Sequence, residues 1–194
     1  MSIRKSLLCS ALFFAAAGTA NAGIVDEVRI GVMAHNICVI DCKNANKEEG
    51  PNINGEIKFS TPDFLEWAWS PHPYLMASFN TSGGTNFGGG GLQWSFPFAG
   101  NWAIEPGIGY VIHDGELENP FPFGTPENYF YAQGDHLFLG SEDLFRTSLA
   151  LTWYANENWG LQLMYEHLSH GQIIGEGRNQ GLDNIGFRAT FVLD

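Results

Sequence analysis

Positive charge is what this sequence has least of. Nine Lys and Arg stand against 21 Asp and Glu in 194 residues, a formal net charge of −12. A surface of that sign repels a phosphate backbone, so no nucleic-acid partner is expected. Charge of either sign is sparse, at 15% of residues. Past residue 22 there is no run of 18 apolar residues, so no membrane-crossing helix is expected. Cysteine is scarce at three, and no paired Cys or His set follows at ligand spacing, which argues against a zinc site. Gly88 to Gly91 has no Lys-Ser/Thr after it and is not a phosphate-binding loop. No serine sits in a G-x-S-x-G turn.

What is present is glycine, at 24 residues, and apolar side chains, at 44% with 14% aromatic. That content is too rich for a disordered chain. The mean hydropathy of −0.09 would, taken alone, suit a soluble protein.

Residues 1–22 read as a secretory signal peptide: Arg4 and Lys5 lead, an apolar core runs from Leu7 to Gly18, and Ala20-Asn21-Ala22 is a small-x-small cleavage site. Residues 23–194 then form one domain. The leader takes Arg4, Lys5 and Cys9 with it. Seven basic residues remain against 21 acids. Cys38 and Cys42 remain as a pair, either a short-loop disulfide of an exported protein or two reduced thiols.

Helical periodicity is weak, and alternation at period two recurs instead. Eight rows show it: Val28 to Ala34, Ile53 to Phe59, Tyr74 to Phe79, Leu92 to Phe98, Trp102 to Ile112, Phe145 to Trp153, Trp159 to Tyr165, and Ile185 to Leu193. The faces between them carry small or polar residues, such as Ala103, Glu105, Gly107 and Gly109. A soluble barrel with these apolar rows inside would need a charged exterior, which the sequence does not supply. The pattern therefore predicts an all-β, eight-stranded antiparallel outer-membrane barrel, apolar outside and polar within. A periplasmic β-sandwich or lipocalin-like barrel is the alternative. Trp94, Trp102, Trp153 and Trp159, near strand ends, are expected to serve the two interfacial girdles.

Tight turns fall at 99–101 and 156–158, and longer connections at 36–52, 81–86, 113–141 and 169–181. Short turns on one side and long loops on the other suit such a barrel. The stretch 60–73 is long where a short turn is expected.

The last two rows end in chemistry. Trp159, Leu161, Leu163 and Tyr165 continue into His167 and Ser169 on the same face. Read backwards, the eighth row ends in Asp183. A hairpin places the end of one strand beside the start of the next. Ser169, His167 and Asp183 should thus meet on the outer wall: a nucleophile, a base and an orienting acid. The same three residues would also serve as a plain polar rim.

Three segments carry a resemblance: Phe138 to Arg146 (FLGSEDLFR), Tyr165 to Gly171 (YEHLSHG), and Asn179 to Asp183 (NQGLD) with Gly186-Phe187-Arg188. Together they resemble the lipid A 3-O-deacylase (PagL) family, also called acyloxyacyl hydrolases. Glu105 to Gly109, His113 to Leu117, Val28 to His35 and Asn52 to Glu56 extend the likeness over most of the chain.

The resemblance implies an outer-membrane serine esterase that uses neither metal nor cofactor. Its substrate would be lipid A of lipopolysaccharide, amid outer-membrane lipids. It implies Ser169 as nucleophile, His167 as general base and Asp183 as the acid. Asn179, with His170 and Gly171, would form the oxyanion and substrate contacts. His170 stands where the family has Asn, and Asp183 where its best-known members have Glu. Arg178 and Arg188 are the cations expected to help with the head group. The alternative is a non-catalytic small barrel with a structural or surface-interaction role.

Overall fold

The computed structural model describes residues 23–40, 47–175 and 179–193. The expected signal peptide, Cys42 and Arg178 lie outside them. The strands are β1 (Val25–Ala34), β2 (Pro51–Phe59), β3 (His72–Asn80), β4 (Phe87–Gln93), β5 (Phe96–Ala99), β6 (Trp102–His113), β7 (Asp143–Tyr154), β8 (Trp159–Ser169) and β9 (Leu182–Val192). They pair antiparallel in sequence order, β9 returns to β1, and both β4 and β5 lie against β6. β4 and β5 are two halves of one span, so the sheet closes as an eight-stranded barrel. Closure removes the edges that an open sheet would expose.

The apolar rows face outward, as alternation predicts. Ile30, Val32, Leu75, Ile104, Ile108, Leu149, Leu161 and Phe187 are all exposed. A soluble protein would not leave such a belt bare, whereas lipid covers it without cost.

The inward rows build a polar interior. Glu27, Glu56, Glu105 and Glu166 meet Arg29, Lys58, Arg146 and Arg188, all buried. Arg29 bonds to Glu27, Glu56 and Glu105 at 2.6 to 3.1 Å. Arg188 reaches Glu56 at 3.0 Å, and Arg146 reaches Glu166 at 2.7 Å. Gln162 links Arg188 to Glu105 and Thr152. Each buried charge is paired, which offsets the several kcal/mol of desolvation that a lone one would cost. Four acids and four bases cancel here, so the net negative charge of the chain lies outside this network.

Nearer Ser169 the interior turns apolar. Phe87, Val111, Leu144, Leu168 and Leu182 cluster with Leu137 and Leu139 of the β6–β7 connection, which fold into the mouth. That connection also holds α1 (Pro126–Gln133). Thr125 accepts a bond from the Asn128 N–H and Pro126 opens the first turn, the usual start signals of a helix.

Two details depart from the sequence expectations. The fourth span begins at Phe87, earlier than the row from Leu92, and is broken at Trp94 and Ser95. Glycine is needed in this span and across from it on β6: a Cβ on Gly91 would lie 2.6 Å from the Tyr74 hydroxyl, and one on its β6 partner Gly109 2.2 Å from it. The Tyr74 phenol fills the space these glycines leave, over the Arg146 guanidinium at 5.0 Å. The tryptophans also do not divide between two girdles. Trp94, Trp102, Trp153 and Trp159 all lie at the end opposite Ser169, and Trp153 contacts Trp102 and Trp159 at 6.4 and 6.5 Å.

Candidate functional site

β8 turns Tyr165, His167 and Ser169 to the outer wall, and the β8–β9 register sets His167 opposite Asp183. The His167 Nδ1 and the Asp183 Oδ1 are 2.6 Å apart. An ionised carboxylate only accepts, so Nδ1 carries the proton and Nε2 is left as the basic nitrogen. Ser169 closes β8 on the same face, paired with Phe145 of β7. The hairpin thus pairs His167 with Asp183, and Ser169 stands two residues on along the same face of β8.

Asp183 lies on an outward row yet is only 1% exposed. The connection between β1 and β2 covers it. The Ile40 N–H donates to Asp183 Oδ2 at 2.6 Å, and the Ile37 N–H donates to its backbone carbonyl at 2.8 Å. The Tyr165 hydroxyl donates to Oδ1 at 2.8 Å. With His167, three donors hold the two carboxylate oxygens, which fixes the acid in a buried place. Cys38, in the middle of this strap, is disulfide-bonded. The strap is anchored further on by Glu48, which bonds to His35 at 2.9 Å and to the Thr85 N–H at 2.6 Å. Burial opposes ionisation of Glu48, but these bonds hold its carboxyl below the usual value.

The strap and Tyr165 were not foreseen as part of the site. Tyr165 read as one more lipid-facing aromatic. The Cys38-x-x-x-Cys42 spacing was the only hint that residues 37–40 take up a fixed place.

The β8–β9 connection supplies the remaining candidates. Asn179 is half-buried and its Oδ1 accepts the His170 N–H at 3.3 Å, which leaves the amide hydrogens as its donors. Gly171 is exposed with φ 59°, a left-handed turn just beyond His170. His170 is fully buried, and its Nδ1 accepts the Gln172 N–H at 3.1 Å. It shapes this loop. Gln180 fixes the loop to the barrel mouth: its Oε1 accepts the Phe138 N–H at 2.6 Å and its N–H donates to the Phe138 carbonyl at 3.2 Å. Gly181 packs on the imidazole, where a Cβ would come within 2.7 Å of His167 Cε1.

Arg188 corrects an expectation. It is sealed inside the barrel on Glu56, Asn54 and Gln162, and it cannot meet a ligand on the outer wall. Phe187 faces out, so alternation sends Arg188 inward. Among the described residues, no three His, Cys, Asp or Glu side chains converge as a metal site would require.

A family model described as lipid A 3-O-deacylase (PagL) matches residues 54–191. Among solved structures, the crystal structure of the outer membrane enzyme PagL superposes with a TM-score of 0.58 at 15% identity, covering 84% of this chain and 97% of that one. Neisserial surface protein A superposes with a TM-score of 0.50 at 9% identity, covering 91% and 100%. At such identities the two structural likenesses speak to the barrel alone. No curated protein sequence matches the chain.

Proposed function

The chain belongs to the lipid A 3-O-deacylase (PagL) family, and from that premise we propose that it is an outer-membrane esterase that removes the 3-O-linked acyl chain of lipid A. The observation that carries this reading is the His167–Asp183 pair, 2.6 Å apart on the outer wall, with Ser169 two residues on along the same face.

In this mechanism His167 Nε2 takes the Ser169 proton as Oγ attacks the ester carbonyl. Asp183 keeps the imidazole in the tautomer that can accept it and stabilises the imidazolium. The amide hydrogens of Asn179 stabilise the oxyanion, beside the Gly171 turn. Collapse breaks the ester C–O bond, and His167 returns the proton to the departing sugar oxygen. Water, deprotonated by His167, then hydrolyses the acyl-enzyme and releases the fatty acid.

Position favours the same reading. From Trp159 to Ser169, β8 takes ten steps of about 3.3 Å; tilted by about 40°, it rises about 25 Å, the height of an apolar band. With the tryptophan end at one interface, Ser169 reaches the other, where an ester joins head group to acyl chain. Phe145, paired with Ser169, and Ile185, paired with Tyr165, offer apolar wall beside it. Arg188 is unavailable for phosphate, and that wall supports capture through the acyl chain.

Lipid A from cells that make the protein is expected to lose the mass of one 3-hydroxy fatty acid, read by mass spectrometry against cells that lack it. An unchanged acyl pattern from folded protein would favour the non-catalytic barrel. Gly181→Ala is a finer test. A Cβ there displaces the imidazole, and a misplacement of about 1 Å costs on the order of 100-fold in rate. A full rate in that variant would remove His167 from the mechanism.

A further inference from the structure

The connection between β2 and β3, residues 60–71, is long where its neighbours at the same end are tight turns, and it has a defined shape. A 3-10 turn spans Asp63–Ala68, with none of its residues buried. Phe64 and Trp67 are three apart, so on this turn they line one edge. They are 74% and 84% exposed, and Trp69 is 81% exposed. Three bare aromatic rings, two of them on a turn with no buried residue, are not explained by packing within the chain.

The segment is held firmly in that posture. The Trp94 indole N–H donates to the Ala68 carbonyl at 2.7 Å. Thr61 donates to the Ser70 carbonyl at 3.0 Å. Its two ends meet at Asp26, which accepts from Ser60 at 2.6 Å and pairs with His72 at 2.9 Å. Trp69 and Ser70 both take left-handed backbone, φ 64° and 52°. A tryptophan there is strained, and strain of this kind persists where the surroundings and a use require it.

Trp94 belongs to the outward row of the broken fourth span, so the turn bears on the outer wall. With Trp67 and Trp69 included, all six tryptophans of the chain gather at this one end. The bare rings therefore continue the belt formed by Trp102, Trp153 and Trp159. The turn carries Asp63 and Glu66 and no basic residue in its last stretch, so anionic head groups do not recruit it.

We propose that residues 60–71 form a membrane foot: Phe64, Trp67 and Trp69 insert into the head-group layer of the phospholipid leaflet at the tryptophan end. Indole and phenyl rings favour that layer, apolar on one side and wet on the other. The foot widens the barrel's contact with one leaflet and pins its depth, which fixes the height of the opposite rim.

The test uses the full barrel refolded into phosphatidylcholine vesicles, compared with a Trp67→Phe/Trp69→Phe variant. The difference in emission between the two reports these two indoles. It is expected to be blue-shifted from that of the denatured protein, shielded from aqueous iodide, and mostly lost when the lipid is brominated near its interface. Emission that stays red, open to iodide and indifferent to brominated lipid would overturn the proposal. So would shielding that appears only as the protein-to-lipid ratio rises, which would assign the face to a second copy. Neither ring is buried, so the variant keeps its fold, and the outcome does not depend on the esterase reading.

Discussion

Ser169→Ala is expected to reduce fatty-acid release from lipid A by about 10⁴-fold or more, while the purified barrel stays folded. A residue that forms and breaks the acyl bond has no substitute in the site: the neighbouring polar groups, His167 and Asp183, are committed to each other at 2.6 Å. What survives the substitution is oxyanion stabilisation and substrate orientation, which leave a small residual rate. Stability should move by less than about 0.5 kcal/mol, because a half-buried hydroxyl at a strand end takes no part in the interior ion network. The measurement is the rate of 3-hydroxy fatty acid release from lipid A in detergent micelles, with circular dichroism confirming the β-barrel. A wild-type rate in Ser169→Ala would end the serine mechanism.

Asp183→Ala separates the orienting acid from the nucleophile. It strips the acceptor from three donors at once: His167 Nδ1, the Tyr165 hydroxyl and the Ile40 N–H. The imidazole then loses its fixed tautomer, and the strap loses one tie to the wall. The barrel and its site differ in how much of each local spacing could reveal. A strand writes its two faces into every second residue, so the apolar rows, Ser169, His167 and Asp183 were legible at once. The same rule, applied to Arg188, would have placed it inside. The bond from Ile40 to Asp183 spans 143 positions and follows from how the first loop closes over the wall, which no local pattern encodes. The helix at Pro126–Gln133 had a signal in Thr125-Pro126, obscured by the long connection around it. The end to which each tryptophan belongs follows from strand direction, and only the register made that plain.

Arg146→Met is the change expected to cost most in stability, about 3–5 kcal/mol. Arg146 is fully buried, with Nε on Glu166 at 2.7 Å, Nη2 3.6 Å from Glu56, and its guanidinium over the Tyr74 ring. Glu56 keeps Arg29 and Arg188 after the substitution. Glu166 keeps only the Asn184 amide, at 3.0 Å, among the bonds described for it. A carboxylate sealed in the barrel without its cation is the expensive product, more so than the lost packing. The paired change Arg146→Met/Glu166→Gln removes both charges together and should recover most of the loss. Urea unfolding of the refolded barrel gives each value. An Arg146→Met midpoint equal to wild type would mean that this ion pair does not hold the interior together. The stakes extend to the outer wall, since Glu166 stands between Tyr165 and His167 on β8. A strand whose inward side chain has lost its partner cannot hold the outward imidazole in register, so the single substitution should slow ester hydrolysis as well, and the paired one should restore it.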